Sequence, residues 1–147
     1  MLDVHLYGLL SATIDRDRRG RIRLTYTDEA LARLGRRRRW LSLNLPATDE
    51  PYVGVRGAVP FVEGLLPEGE AVRSLVAERL GVDADDDLAL LAAIGRDAAG
   101  AVAVVPEGEP AASDDASLGA RWTPPADMTE QRPAHHPVTA TRPGTAG

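Results

Sequence analysis

The sequence predicts a small α+β domain, in which two to three short helices pack on a curved antiparallel sheet of four to five strands. Three observations predict this fold class. Segments near the N-terminus alternate apolar and polar residues, later segments carry apolar residues at helical spacing, and beyond Glu107 the chain is rich in Ala, Pro, Thr, Gly and Ser. We therefore expect one domain at residues 1–109 and a disordered tail at residues 110–147.

Three strands joined by tight turns are predicted first. In "LDVHLYG" the residues Leu2, Val4 and Leu6 alternate with polar neighbours, which is the period of a half-buried strand. The segment "LSATID" follows a turn at Gly8, and "RIRLTYT" follows a second turn at Gly20. The simplest arrangement of these segments is a three-stranded meander.

Two further strands are predicted later in the chain. In "WLSLNLP" the residues Leu41, Leu43 and Leu45 alternate with Ser42 and Asn44, and this pattern predicts a fourth strand that ends at Pro46. The segment "AGAVAVVP" predicts a last short strand.

Three helices are predicted from the residues at their ends. "TDEALARLG" has Thr27 as a candidate N-cap and Gly35 as a stop signal. "DADDDLALLAAIG" begins with aspartates and ends at Gly95. "PEGEAVRSLVAERLG" ends at Gly81 and carries four apolar residues at helical spacing: Val72, Leu75, Val76 and Leu80. Before it, "FVEGLL" is interpreted as an apolar turn that breaks at Pro67.

Composition excludes several kinds of chemistry. All 17 basic residues are arginine, and the chain has neither lysine nor cysteine. A phosphate-binding loop lysine, a kinase strand lysine, Schiff-base catalysis and thiol catalysis are therefore excluded. No catalytic constellation stands out among the carboxylates, so we expect a binding module, with no catalytic residue and no cofactor. The N-terminus has no basic leader and no long apolar run, which indicates a cytoplasmic protein without a membrane partner.

Two clusters of charge were considered as sites. Asp83, Asp85 and Asp87 have the spacing of a calcium loop, but Leu88 and Ile94 stand where the loop needs glycine and glutamate, so no metal site is predicted. "GRRRRW" contains Arg36, Arg37, Arg38, Arg39 and Trp40, which would suit phosphates and a stacked base. The net charge of −5 and the absence of a DNA-binding motif favour a solvated loop, with a protein-facing arginine cluster as an intermediate interpretation.

The chain resembles the first N-terminal subdomain of HipA-type serine/threonine kinase toxins, also called the couple domain. The resemblance covers about residues 2–109 and rests on three segments in order: "LSLNLP", "FVEGLLPEG" and "DDDLALLAAIGRDAAGAV". It implies a HipA-like kinase core as partner, and it admits a DNA-binding antitoxin as a further component. The ATP-binding core of that family does not follow here, so the resemblance implies a module without kinase activity.

Three functional interpretations follow from the resemblance and from the residues. The first is an interaction module that binds and restrains a kinase core, as an antitoxin does. The second is a truncated relic of a full-length toxin, and the third is a weak arginine-mediated nucleic-acid binder. We expect Phe61 and Leu65 to be anchored inward, and we take these residues as candidate partner contacts: Leu65, Leu66, Pro67, Glu68, Gly69, Arg36, Arg37, Arg38, Arg39 and Trp40.

Overall fold

The structure is a computed structural model that describes residues 1–97 and 101–111. Within these residues one antiparallel sheet contains the strands β1 (Leu2–Leu6), β2 (Leu9–Arg16), β3 (Ile22–Tyr26), β4 (Tyr52–Val53) and β5 (Val102–Pro106). Their order across the sheet is β4-β3-β2-β1-β5, so the first strand lies inside the sheet and the last strand forms one edge. Most of the predicted tail, residues 112–147, lies outside the described residues.

The first three strands form the predicted meander. Tyr7 and Gly8 join β1 to β2 with φ values of 50° and 77°, the pair of positive angles that a two-residue hairpin turn requires. The predicted alternation in β3 is confirmed, because Ile22, Leu24 and Tyr26 are all buried. One face of the meander is therefore available for a core.

The predicted fourth strand at residues 41–46 is wrong, because these residues form an irregular turn. The Ser42 carbonyl accepts a hydrogen bond from the Leu45 amide at 3.2 Å, and the Ser42 hydroxyl accepts one from the Asn44 amide at 3.3 Å. Such local bonds compete with the ladder of a sheet. Leu43 is 73% exposed as a result, whereas Leu45 is buried. The strand that pairs with β3 is β4, in a segment interpreted from the sequence as a loop.

The described residues contain the helices α1 (Asp28–Leu34), α2 (Ala58–Leu65), α3 (Glu70–Leu80) and α4 (Asp87–Ile94). The predicted cap of α1 is confirmed, since the Thr27 hydroxyl accepts from the Ala30 amide at 3.1 Å. The sequence interpretation missed α2, which occupies the segment taken for an apolar turn. Pro60 lies in its first turn, where the missing amide removes no hydrogen bond within the helix.

The core lies between one face of the sheet and the helices α2 and α4. Val62 from α2 and Leu90 from α4 are fully buried there. At the end of α4 the backbone comes very close to β5, because a Cβ added at Gly95 would lie 2.7 Å from the Val104 carbonyl oxygen. Gly95 therefore allows α4 to reach the edge strand. In contrast, α3 contributes only Ala77 as a buried residue.

Candidate interaction surface

The corner between α2 and α3 contains five of the predicted contact residues. Leu66 is 5% exposed and belongs to the core, and Leu65 and Pro67 are half-buried. Glu68 and Gly69 are exposed. Phe61, at the start of the motif, is buried as expected. The corner therefore anchors α2 through its apolar residues and presents mainly its polar end to solvent.

Arg73 connects this corner to α4. Its Nε donates a hydrogen bond to the Pro67 carbonyl at 3.1 Å, and its Nη1 lies 3.2 Å from the Asp87 carboxylate. The two charged side chains are only 26% and 25% exposed. An ion pair shielded to this degree is screened by salt less than a pair in open solvent. The contact thus fixes where α3 leaves the corner.

Three apolar side chains of α3 are exposed. Val72, Leu75 and Leu80 are 47%, 57% and 47% exposed, respectively, and we call these three residues the α3 face. The sequence pattern correctly predicted the helix, but of the four residues of its apolar stripe only Val76 packs against the core. Single exposed apolar residues are ordinary, whereas exposed apolar residues that form a patch are typical of a contact site.

The surroundings of the α3 face are acidic. Glu70 and Glu78 lie on α3 itself and are exposed, and Glu68 precedes the helix. Asp83 and Asp85 are exposed in the turn that follows it. Arg79 is an exposed basic residue on α3, which leaves a negative excess around the apolar residues. The arrangement suits a partner surface that is apolar at its centre and basic at its rim.

The arginine loop is built into the fold. Arg36 forms two hydrogen bonds with the Asp49 carboxylate, both 2.8 Å long, and this bonding lowers the pKa of Asp49 below its ordinary value. Trp40 is half-buried, and its Nε1 donates to the Leu34 carbonyl at 3.0 Å. The amide of Arg37 and the carbonyl of Arg38 both bond to Ala47. Trp40 thus packs on the core instead of standing free beside the arginines.

Arg37 and Arg39 are the exposed remainder of that loop, and Arg38 is half-buried. Arg37 has a φ of 63°, an uncommon value for a residue with a side chain. Arg36 and Trp40 are thus held by contacts within the fold, whereas Arg37 and Arg39 are exposed to solvent. Their roles as partner contacts stay predictions.

The titratable side chains of the described residues bear on metal binding and catalysis. No group of three His, Asp or Glu side chains among them is placed to hold a metal ion. Both ring nitrogens of His5 are buried without a hydrogen-bond partner, and the Tyr26 hydroxyl is occupied by the Leu45 carbonyl at 2.6 Å. Burial raises the pKa of Tyr26. None of the described helices is both long and apolar enough to cross a lipid bilayer.

Sequence reasoning singled out the corner and the arginine loop but missed the exposure of the α3 face. Nothing in the pattern separates an apolar stripe that faces the core from one that faces a partner, since both have the period of the helix.

Comparisons with known proteins agree on one family. The family described as HipA N-terminal domain matches residues 2–105. Two Sinorhizobium fredii proteins named as candidate kinases, Y4mE and Y4dM, are similar to this chain. Y4mE is 37% identical over 107 residues, which are 73% of this chain and 24% of that protein. Y4dM is 36% identical over 121 residues, which are 78% of this chain and 29% of that protein.

A solved structure shares the fold. It is the complex of HipA, HipB and operator DNA from the toxin–antitoxin system of Shewanella oneidensis. The TM-score is 0.56 at 31% sequence identity, and the match covers 74% of this chain and 24% of that chain. The matched part of the chain thus spans only 24% and 29% of the length of the two Sinorhizobium relatives.

Proposed function

This chain belongs to the HipA N-terminal domain family, and we propose that it is a non-catalytic interaction module that binds the kinase core of a HipA-type protein. The proposal takes the toxin–antitoxin context from the Shewanella neighbour and the kinase context from the names of the Sinorhizobium relatives. Kinase chemistry is left to the partner, because this chain has no lysine to place against the phosphates of ATP.

The observation that carries the proposal is the exposed α3 face. Val72, Leu75 and Leu80 are each about half exposed on a helix that contributes a single buried residue to its own domain. The relatives are three to four times as long as the matched segment, so they contain further chain that can cover such a face. Full burial of an exposed leucine side chain contributes about 1.5–3 kcal/mol, and each of these half-exposed side chains would contribute part of that in an interface.

Charge gives the proposed contact its orientation. The exposed acids Glu70 and Glu78 border the α3 face, and Asp83 lies just beyond it. A basic rim on the kinase core would be attracted to this side of the domain and repelled by the arginine-rich side. Complementary charge of this kind raises the rate of encounter and fixes register more than it adds affinity.

Binding in trans would let the domain restrain a kinase core that is encoded separately, as an antitoxin does. The corner at Glu68 and Gly69 lies immediately before α3, so a partner seated on the α3 face would also meet it. The alternative of a truncated relic predicts the same fold with no such binding. Association is therefore the property that separates the two interpretations.

The test is co-expression of this chain with a HipA-type kinase core from which the N-terminal domain has been deleted. We expect a complex in pull-down assays and a measurable heat of binding in titration calorimetry. Leu75→Glu should weaken the affinity by roughly tenfold to a hundredfold, because it places a charge in the apolar centre of the contact. Rescue of growth in cells that express the kinase core would add the antitoxin role to the binding role.

Leu43→Glu is the matched control. Leu43 is as apolar as Leu75 and even more exposed, at 73%, but it lies in the irregular turn that replaces the predicted fourth strand. This substitution should leave the affinity unchanged. Equal losses from both substitutions would mean that the contact is not centred on the α3 face. No association of a folded wild-type domain with any HipA-type core would favour the relic.

A further inference from the structure

A second candidate contact is a cleft lined by arginines, in contrast to the acidic surroundings of the α3 face. It opens where β4 stops pairing with β3: the last paired residues are Arg23 and Val53, and the chain then turns away at Gly54 with a φ of 69°. The cleft has a volume of about 470 Å³, within the range of sites that hold a short peptide segment or a small ligand. We call it the hairpin cleft.

The walls of the hairpin cleft are apolar. They consist of Ile22 from β3, Val53 from β4, Val59 from α2 and Val55, which is 77% exposed at the mouth. Ile22 is itself buried, so it forms a fixed floor. Because β4 ends at Val53, the outer edge of β3 has no described strand beside it at Ile22. An extended segment can approach an edge of this kind along the strand direction.

Three arginines surround these walls, but they are not equivalent. Arg16 donates to an Asp86 carboxylate oxygen at 2.8 Å, and Arg21 lies 2.7 Å from the Asp17 carboxylate. The Arg56 side chain forms no hydrogen bond or ion pair with the described part of the chain. Two carboxylates thus neutralise two guanidinium groups, and the cleft keeps one unmatched positive charge beside its apolar walls.

From this arrangement we infer that the hairpin cleft binds an extended acidic peptide segment, in which one carboxylate reaches Arg56 and a neighbouring β-branched side chain lies against Ile22 and Val55. A guanidinium group binds a carboxylate through two parallel hydrogen bonds. The single unmatched charge calls for one carboxylate, whereas a nucleic acid would need several cations in a row. None of the residues of the α3 face takes part, so this inference does not depend on the proposed contact with a kinase core.

The experiment is a titration of the full-length, ¹⁵N-labelled chain with the blocked hexapeptide Thr-Val-Glu-Val-Thr-Gly, followed by NMR. We expect amide shifts centred on Ile22 and on Val53 to Arg56. Arg56→Gln should weaken the affinity about tenfold, as should the peptide in which Gln replaces Glu, because each change removes one charge-assisted pair. Combining both changes should cost little more than either alone, since they remove the same pair.

Arg39→Gln is the matched control, because Arg39 is an exposed arginine in the loop outside the cleft. It should leave the titration unchanged. Inorganic phosphate and a twelve-nucleotide single-stranded DNA are titrated in parallel, and both should bind more weakly at these amides than the peptide does. Stronger binding of either one, shifts scattered over the other arginines, an unchanged affinity in Arg56→Gln, or no shifts at all would overturn the inference.

Discussion

At the scale of single residues, the approach of α4 to β5 depends on the absence of one side chain. The backbone of Gly95 has ordinary helical angles, so its role is a matter of space. A Cβ at this position would lie 2.7 Å from the Val104 carbonyl oxygen and 2.9 Å from the Val104 Cβ. Both neighbours belong to a strand and cannot swing away as the end of a flexible side chain can.

We expect Gly95→Ala to lower the free energy of unfolding by about 1–3 kcal/mol, because it overpacks the junction of α4 and β5. Thermal unfolding followed by circular dichroism measures the change. An unaltered melting temperature would mean that the junction is looser than the structure indicates.

Gly64→Ala is the control for that substitution. Gly64 lies within α2, and a Cβ added there would meet no atom within 4 Å. Alanine should therefore stabilise the domain by about 0.5–1 kcal/mol, the usual difference between the two residues inside a helix. We therefore expect the two glycine substitutions to change the free energy of unfolding in opposite directions.

At the scale of secondary-structure elements, α4 owes its start to Asp86. The carboxylate accepts hydrogen bonds from the Leu88 and Ala89 amides at 3.1 and 3.2 Å, and it also receives Arg16 at 2.8 Å. Asp86→Ala should cost about 1–2 kcal/mol of stability, whereas Asp86→Asn keeps the cap and should cost less. Asp85→Ala is the control, because Asp85 is exposed one residue before the cap. Urea unfolding of the three variants measures these differences.

The Asp86 carboxylate should also make the stability of the domain depend on pH. Burial raises the pKa of Asp86, but hydrogen bonds from Arg16 and from the two amides outweigh it and bring the pKa below its ordinary value of 3.8. A carboxyl group with a lowered pKa in the folded state adds stability above its unfolded-state pKa and loses it as the pH falls through the folded value. The stability difference between wild type and Asp86→Asn should thus be constant near neutral pH and shrink below pH 3.8. A difference that grows in acid would contradict this assignment.

Sequence patterns predicted the elements that are specified locally. The Thr27 cap, the turn at Gly20 and the alternation in β3 each depend on neighbours a few residues away. The segment 41–46 was mispredicted because Ser42 bonds to its own neighbours, an option that alternation does not reveal. The short α2 was missed because it ends two residues before Pro67, and its apolar residues were interpreted as a turn that breaks there. Exposure of the α3 face could not be predicted, since it depends on which elements lie over the sheet.

The candidate surfaces also differ in how far the sequence could predict them. The corner at residues 65–69 was located from its motif, but the motif does not state that Leu66 is a core residue. The hairpin cleft was not predicted at all, because it joins residues near position 20 to residues near position 55. Only the pairing of β3 with β4 brings those two segments together.

At the scale of the whole molecule, charge is divided between two parts of the chain. Residues 1–56 contain 11 arginines and 7 acids, which gives +4, and residues 57–109 contain 3 arginines and 11 acids, which gives −8. The hairpin cleft draws its arginines from the first part, and the α3 face lies in the second. The two proposed contacts are therefore distinguished by sign as well as by position.

The composition of the whole chain also predicts that it does not bind nucleotide. Because the chain has no lysine, we expect it to lack a site for the phosphates of ATP. Titration calorimetry with ATP and Mg²⁺ should give only heats of dilution. A saturable heat with a stoichiometry near one would overturn the assignment of the chain as a non-catalytic module.

The pairing of β1 with β5 has a consequence for how the domain is made and joined to other chains. Leu2 pairs with Pro106, and the Glu107 amide donates to the Met1 carbonyl at 3.1 Å. During synthesis, about a hundred residues must be made after β1 before β5, its second neighbour in the sheet, is available. The pairing of β1 with β5 is therefore non-local, and we expect it to form more slowly than the hairpins that precede it. The two ends of the domain therefore lie at the same corner. The folded domain can be part of a longer polypeptide or a separate protein, and neither arrangement requires a link across the domain.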